Sequence, residues 1–176
     1  TGESVEIGGP MGKFGLDSSL DPMVCIAGGS GMSAIKAILE YACNRQVARD
    51  CFFYYGARSQ RDLYAVEQFE HIKQRWSPNH KFEFIQILSE EPDSSGWYGP
   101  RGLVTDYVET TLVDSVEMDM THCKVFFCGP PPMIAKGVDL FRNAGVRDDA
   151  MFCDVFEDAS SPAPTIDNIK CVLCDE

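Results

Sequence analysis

The chain has 176 residues, 44% of them hydrophobic and 24% charged, which suits one domain with a buried core. A net charge of −12 and a pI near 4.6 set aside nucleic acid or an anionic membrane surface as the main partner. No apolar run approaches the roughly 18 residues that a membrane span needs, so no membrane span is expected. The acidic balance reads as solubility ahead of docking to a basic redox partner.

The sequence opens at Thr1 on a short strand pattern that enters a Gly/Pro turn, Gly9-Pro10-Met11-Gly12, before Lys13 and Phe14. This start reads as the tail of a preceding domain, with residues 1–20 as remnant and linker. A regular pattern begins at residue 23. Strands are expected at 23–27, 51–55, 82–88, 124–128 and 151–156, and helices at 31–44, 61–76, 103–113 and 132–144. Each helix separates two strands, so the expected fold is α/β: an open five-stranded parallel sheet with helices on both faces. Ser89 to Pro100 forms a polar Gly/Pro-rich loop of a dozen residues, long enough to suggest a role. Residues 21–157 make the main domain, and 158–176 a flexible tail.

The first strand stops at Gly28-Gly29-Ser30-Gly31 and turns into a helix through Met32 and Ser33. Glycines let backbone approach a ligand closely, and the free N–H groups of a first helical turn face negative charge. The stretch is a candidate phosphate cradle, although such turns also serve only to pack a helix on a sheet. In an open parallel sheet ligands collect at the C-terminal strand ends, where three further stretches converge. After the second strand come Tyr55, Gly56, Arg58, Ser59 and Arg61. A carboxylate that would hold ribose hydroxyls is missing at that spot, since Asp50 precedes the strand. An arginine there can hold a phosphate or stack on adenine, or Ser59 can simply cap a helix between solvated arginines.

After the fourth strand come Cys128, Gly129, Pro130, two more prolines and Met133, a rigid loop with a thiol at the strand mouth. After the fifth comes Phe156, by itself more often core than contact. Five of the eight cysteines (Cys25, Cys51, Cys123, Cys128, Cys153) lie in or beside strands as small hydrophobes, which fits a reducing cytoplasm. The lone Cys171/Cys174 pair carries neither a metal nor a redox assignment, and no metal site is expected.

In this order and spacing, Gly28–Ser33, Tyr55–Ser59, Cys128–Met133 and the 154–156 ending resemble the pyridine-nucleotide domain of the ferredoxin–NADP reductase superfamily. The likeness is nearest to reductase components of bacterial multicomponent oxygenases and to the flavin subunit of the Na+-translocating NADH:quinone oxidoreductase. It covers nearly all of residues 1–156. Gly9 to Phe14 resembles the end of that family's FAD-binding barrel. The resemblance implies an NADH site, with NADPH left open by Arg58 and Arg61. It implies FAD held mainly by a domain absent from these residues, and electron transfer to a [2Fe-2S] ferredoxin domain or protein. An oxygenase or quinone reductase complex would lie beyond, in the cytoplasm or on the cytoplasmic side of a membrane complex.

By the same resemblance, Gly28, Gly29, Gly31 and Met32 line the pyrophosphate, with Ser33 towards the flavin. Tyr55, Gly56, Arg58 and Ser59 hold the adenosine half. Cys128, Gly129 and Pro130 sit against the nicotinamide, the thiol near its reactive carbon, and Phe156 shields the flavin; Ser30, Arg61 and Met133 are further cofactor-binding candidates. Cys128 and Phe156 are thus the expected catalytic positions. A non-catalytic nucleotide-sensing or partner-docking module is the alternative.

Overall fold

The computed structural model describes residue 4 and residues 13–113 and 118–155. Five strands, β1 (Met23–Gly28), β2 (Cys51–Ala57), β3 (Phe82–Leu88), β4 (Lys124–Gly129) and β5 (Met151–Val155), form one sheet in the order β3-β2-β1-β4-β5. Every pairing is parallel. Four helices connect them: α1 (Met32–Asn44), α2 (Val66–Arg75), α3 (Val104–Val108) and α4 (Pro131–Asn143).

The period-two alternation of the strands divides the core in two. Val24, Ile26, Tyr54, Val125 and Phe127 face α3 and α4, whose Val104, Val108, Ile134, Val138 and Phe141 are buried against them. Met23, Cys25, Ala27, Phe53, Tyr55, Phe126 and Cys128 face α1 and α2, through Ile35, Leu39, Phe69 and Ile72. The sheet is therefore covered on both faces, as the near-continuous apolar strands require.

Residues 14–19 lie on the α1/α2 side. Phe14 packs edge-on to Phe126 at 6.3 Å. The fully buried Arg49 donates from Nη1 to Asp17 Oδ1 and to the Ser19 carbonyl, each at 2.8 Å. Gly9–Gly12, Phe156 and the Cys171/Cys174 tail lie outside the described residues.

Two helices differ from expectation, both for local reasons. The second, expected at 61–76, begins only at Val66. Ser59 and Asp62 close a capping box around a 3₁₀ turn at Gln60–Asp62, and Ala65 takes a left-handed φ of 56°. The third, expected at 103–113, is α-helical to Val108 and then widens to a π-helical segment, Glu109–Val113. There the Thr110 hydroxyl bonds back to the Asp106 and Tyr107 carbonyls, both at 3.1 Å, and that of Thr111 to Tyr107 at 2.6 Å. Hydroxyls competing for helix carbonyls loosen the α-helical ladder.

Candidate nucleotide site

Strand order reverses between β1 and β4, which pair side by side while their connections run to opposite edges. Loops leaving such a switch point part and open a crevice at the C-terminal rim. Here Gly28–Gly31 leaves β1 and Gly129–Pro130 leaves β4, and the two loops touch. A Cβ on Gly31 would stand 2.1 Å from the Cys128 carbonyl oxygen, and one on Gly28 would stand 2.7 Å from Met133 Sδ. Gly129 has a φ of +152°, and a Cβ on it would lie 3.0 Å from both the nitrogen and the oxygen of Gly28. Gly29 is different: its φ is +54° and nothing lies within 4 Å of where its Cβ would be. Three of these glycines serve close packing, and one turns the chain while facing open space.

Beside this crossing, on the α3/α4 side, lies a cavity of about 730 Å³, within the range of about 300–1,000 Å³ usual for ligand sites. Gly28, Gly29, Gly56, Arg58, Pro130 and Met133 line it, all of them candidates from the sequence. Of the rest of the wall, Ala57 and Pro132 fall inside stretches singled out in the sequence and Ser89 opens the long loop, while the other residues were missed. Gly102 to Thr105 supply the entrance to α3, and Pro132 and Lys136 come from α4. Ala57, Asp62 and Ser89 come from the ends of β2 and β3. The one available signal was spacing: Pro132, Met133 and Lys136 share a face of a helix that starts at a glycine turn. Lys136 is ion-paired with Asp106 at the mouth.

Ser30, Gly31, Met32, Ser33, Tyr55, Ser59, Arg61, Cys128 and Gly129 do not line this cavity. Met32 and Tyr55 are buried in the α1/α2 core. The Tyr55 hydroxyl donates to the Asp62 carbonyl at 3.1 Å, and burial pushes its pKa up to about 12. The Ser33 hydroxyl donates to the Ser30 carbonyl at 2.9 Å. Tyr64, which carries no motif in the sequence, spans the glycine turn by donating to the Gly29 and Ser30 carbonyls at 3.3 and 3.2 Å.

Cys128 is buried on the α1/α2 side of the crossing, its thiol 3.7 Å from Asp154 Oδ2. Burial, followed by the negative charge of Asp154, pushes its pKa far above the usual thiol range. The group is a neutral thiol at any physiological pH, not a thiolate nucleophile. Among the described residues, six cysteines are buried and none is in a disulfide, and no cluster of His, Cys, Asp or Glu could hold a metal. No helix among them is long and apolar enough to cross a membrane.

Fold and rim together define a nucleotide-binding domain of the doubly wound α/β class: a parallel sheet, a glycine turn at the switch point, and a cavity walled by both loops that meet there. Comparison with known proteins makes this specific. The family model described as "Oxidoreductase NAD-binding domain" matches residues 25–138, and the chain belongs to that family. The chain is 37% identical over 156 residues to the xylene/toluene monooxygenase electron transfer component XylA of Pseudomonas putida, covering 89% of this chain and 42% of that protein. One subunit of the Na(+)-translocating NADH-quinone reductase of Haemophilus ducreyi is 30% identical, over 88% of this chain and 37% of its own length. Among solved structures, the Amycolatopsis cytochrome P450 reductase GcoB superposes with a TM-score of 0.70 at 30% identity, covering 84% of this chain and 42% of that one. The chain thus spans less than half the length of the curated relatives it matches.

Proposed function

We propose that this domain is the nucleotide-binding part of an FAD-dependent electron-transfer reductase. It holds NADH so that a flavin, carried mainly by a barrel outside the described residues, can take a hydride. Electrons then pass to an iron–sulfur centre of the [2Fe-2S] type and to an oxygenase or quinone reductase partner. The single observation that carries the reading is the cavity at the switch point, walled by both the Gly28–Gly29 turn and Pro130–Met133. One dinucleotide could then reach from the Gly56–Arg58 end to the Pro130–Met133 end of the same rim. The names of the relatives, a monooxygenase electron transfer component and part of an NADH-quinone reductase, support the same class of activity. Six buried cysteines outside any disulfide, among the described residues, suit a reducing cytoplasm.

Bound there, the nicotinamide supplies a two-electron reductant, and this chemistry asks for no strong acid or base from the protein. What the chain contributes is position. Gly29 leaves room for a phosphate against the backbone, and Arg58 and Lys136 bring positive charge to the cavity. Pro130 and Pro132 stiffen the wall at the start of α4. Cys128, buried as a neutral thiol beneath the β4 exit and bonded to Asp154 Oδ2 at 3.7 Å, supports the loop from behind. Holding reacting groups in place is worth several kcal/mol in such reactions, on the order of 7–11 where alignment is complete.

The test is stopped-flow reduction in the intact flavoprotein. Cys128→Ala is expected to slow flavin reduction by NADH with a modest change in nucleotide affinity. Equal reduction rates in mutant and parent would remove Cys128 from the account. Nucleotide binding with no flavin reduction in the parent would point to a sensing module instead.

A further inference from the structure

The turn after β2 shows which dinucleotide the site accepts. This inference rests on the dinucleotide reading above and adds the identity of the ribose end. A phosphate monoester on a ribose needs free N–H and O–H donors as well as positive charge. The donors next in the chain after Arg58, which lines the cavity, are those of Ser59 and Gln60, and they are already taken. Asp62 Oδ2 accepts from the Ser59 amide at 2.9 Å and from the Ser59 hydroxyl at 2.8 Å. Glu91, 31 residues further along, accepts from the Gln60 amide at 2.8 Å and from the Gln60 side-chain amide at 2.6 Å. Four donors in two residues therefore carry two carboxylates.

Glu91 is itself held in place. Arg101 donates to its carbonyl and to that of Trp97, which folds the long loop back on the end of β3. The Glu91 carboxyl lies below its ordinary range because of its bonds from Gln60. Asp62 also lines the cavity. Both of its bonds from Ser59 fall on Oδ2, and among the described residues no donor reaches Oδ1. That free oxygen is an acceptor at the position where a ribose would lie, the role a carboxylate plays for ribose hydroxyls in dinucleotide folds. Arg58 and Arg61 flank the turn, while Arg101 is engaged by the Glu91 and Trp97 carbonyls and lies 3.6 Å from Asp93, which leaves Arg58 to the diphosphate or the adenine face.

We infer that Asp62 and Glu91 are the specificity determinants of this site: they occupy the donors a 2′-phosphate would need, and so select a dinucleotide with a free 2′-hydroxyl, NADH over NADPH. The experiment is calorimetric titration of this 176-residue chain with NAD+ and with NADP+, for the parent, Glu91→Ala, Asp62→Ala and the double variant. The parent should bind NAD+ at least about tenfold more tightly than NADP+, and the double variant should lose at least about tenfold of that ratio, one charge-assisted hydrogen bond being worth that much. Equal binding of the two nucleotides by the parent overturns the inference while leaving the dinucleotide reading intact. So does a preference that persists in a folded double variant. Binding of neither nucleotide overturns both. Should Asp62→Ala not fold, Glu91→Ala removes only a partly buried loop side chain and its two bonds from Gln60, and an unchanged ratio in that variant alone is enough to overturn the inference.

Discussion

The two ends of the rim are built in opposite ways. At the β1/β4 crossing the chain leaves side chains out: Gly28, Gly31 and Gly129 let two loops pass within contact distance, and the neighbours are a buried thiol, a methionine and a proline. At the end of β2 the chain puts side chains in, since Asp62 and Glu91 tie down an exposed turn. One end is fixed by steric exclusion and the other by charge and hydrogen bonds. The first should resist salt and acid yet tolerate no added atoms. The second should tolerate substitution in the fold but answer to pH.

The largest expected effect is at the crossing. Gly31→Ala puts a methyl group 2.1 Å from a backbone oxygen that cannot move without shifting β4. It should cost about 3 kcal/mol in urea unfolding, the upper end of ordinary overpacking. Gly29→Ala, two residues away, meets no atom and carries only the penalty of a left-handed backbone, about 1 kcal/mol. If the two variants prove equally destabilising, the distinction between packing and open glycines is wrong.

Alkaline pH should weaken the fold next. Burial raises the thiols of Cys51, Cys123 and Cys128, Cys123 to about 12. Groups with raised folded values stabilise fully below their unfolded value, about 9, and lose that contribution as pH rises. Each such thiol should cost about 1.4 kcal/mol per pH unit above about 9 until its folded value is reached. Denaturant midpoints measured from about pH 8 to 10.5 check this, and Cys123→Ala should flatten the slope.

The turn after β2 should respond in the other direction, and least. The lowered Glu91 carboxyl contributes above its unfolded value and loses that contribution as pH falls through its folded one. The Gln60 amide should therefore keep its hydrogen-exchange protection through mild acid and lose it only below the ordinary glutamate range, while amides of β1 keep theirs. Glu91→Gln should make that protection independent of pH over the same range.

The difference between the two ends also explains what could be read from the sequence. The parallel sheet, its five strands and the convergence of their C-terminal ends were legible, because glycines stand at strand ends and β1, β2 and β4 are nearly unbroken apolar runs; the order that sets β1 beside β4 was not. The lining residues Gly28, Gly29, Gly56, Arg58, Pro130 and Met133 came from the same local patterns. Asp62 and Glu91 were not legible. Glu91 reaches Gln60 across 31 residues, and a capping box within a 3₁₀ turn looks in sequence like the start of α2. A carboxylate that lines the cavity, Asp62, stands a few residues past Ala57. Arg49 was missed too: a buried arginine carries no pattern until Asp17 and Ser19 are seen folded over it.

The central claim is that one dinucleotide spans both ends of this rim. The direct measurement is an amide chemical-shift titration of the labelled chain with NAD+. The account predicts that Gly28, Gly29, Gly56, Arg58, Gly129 and Met133 shift together along one binding curve. Shifts limited to one of the two ends, or clustered around Cys51 and Lys124 at the opposite edge of the sheet, would contradict it.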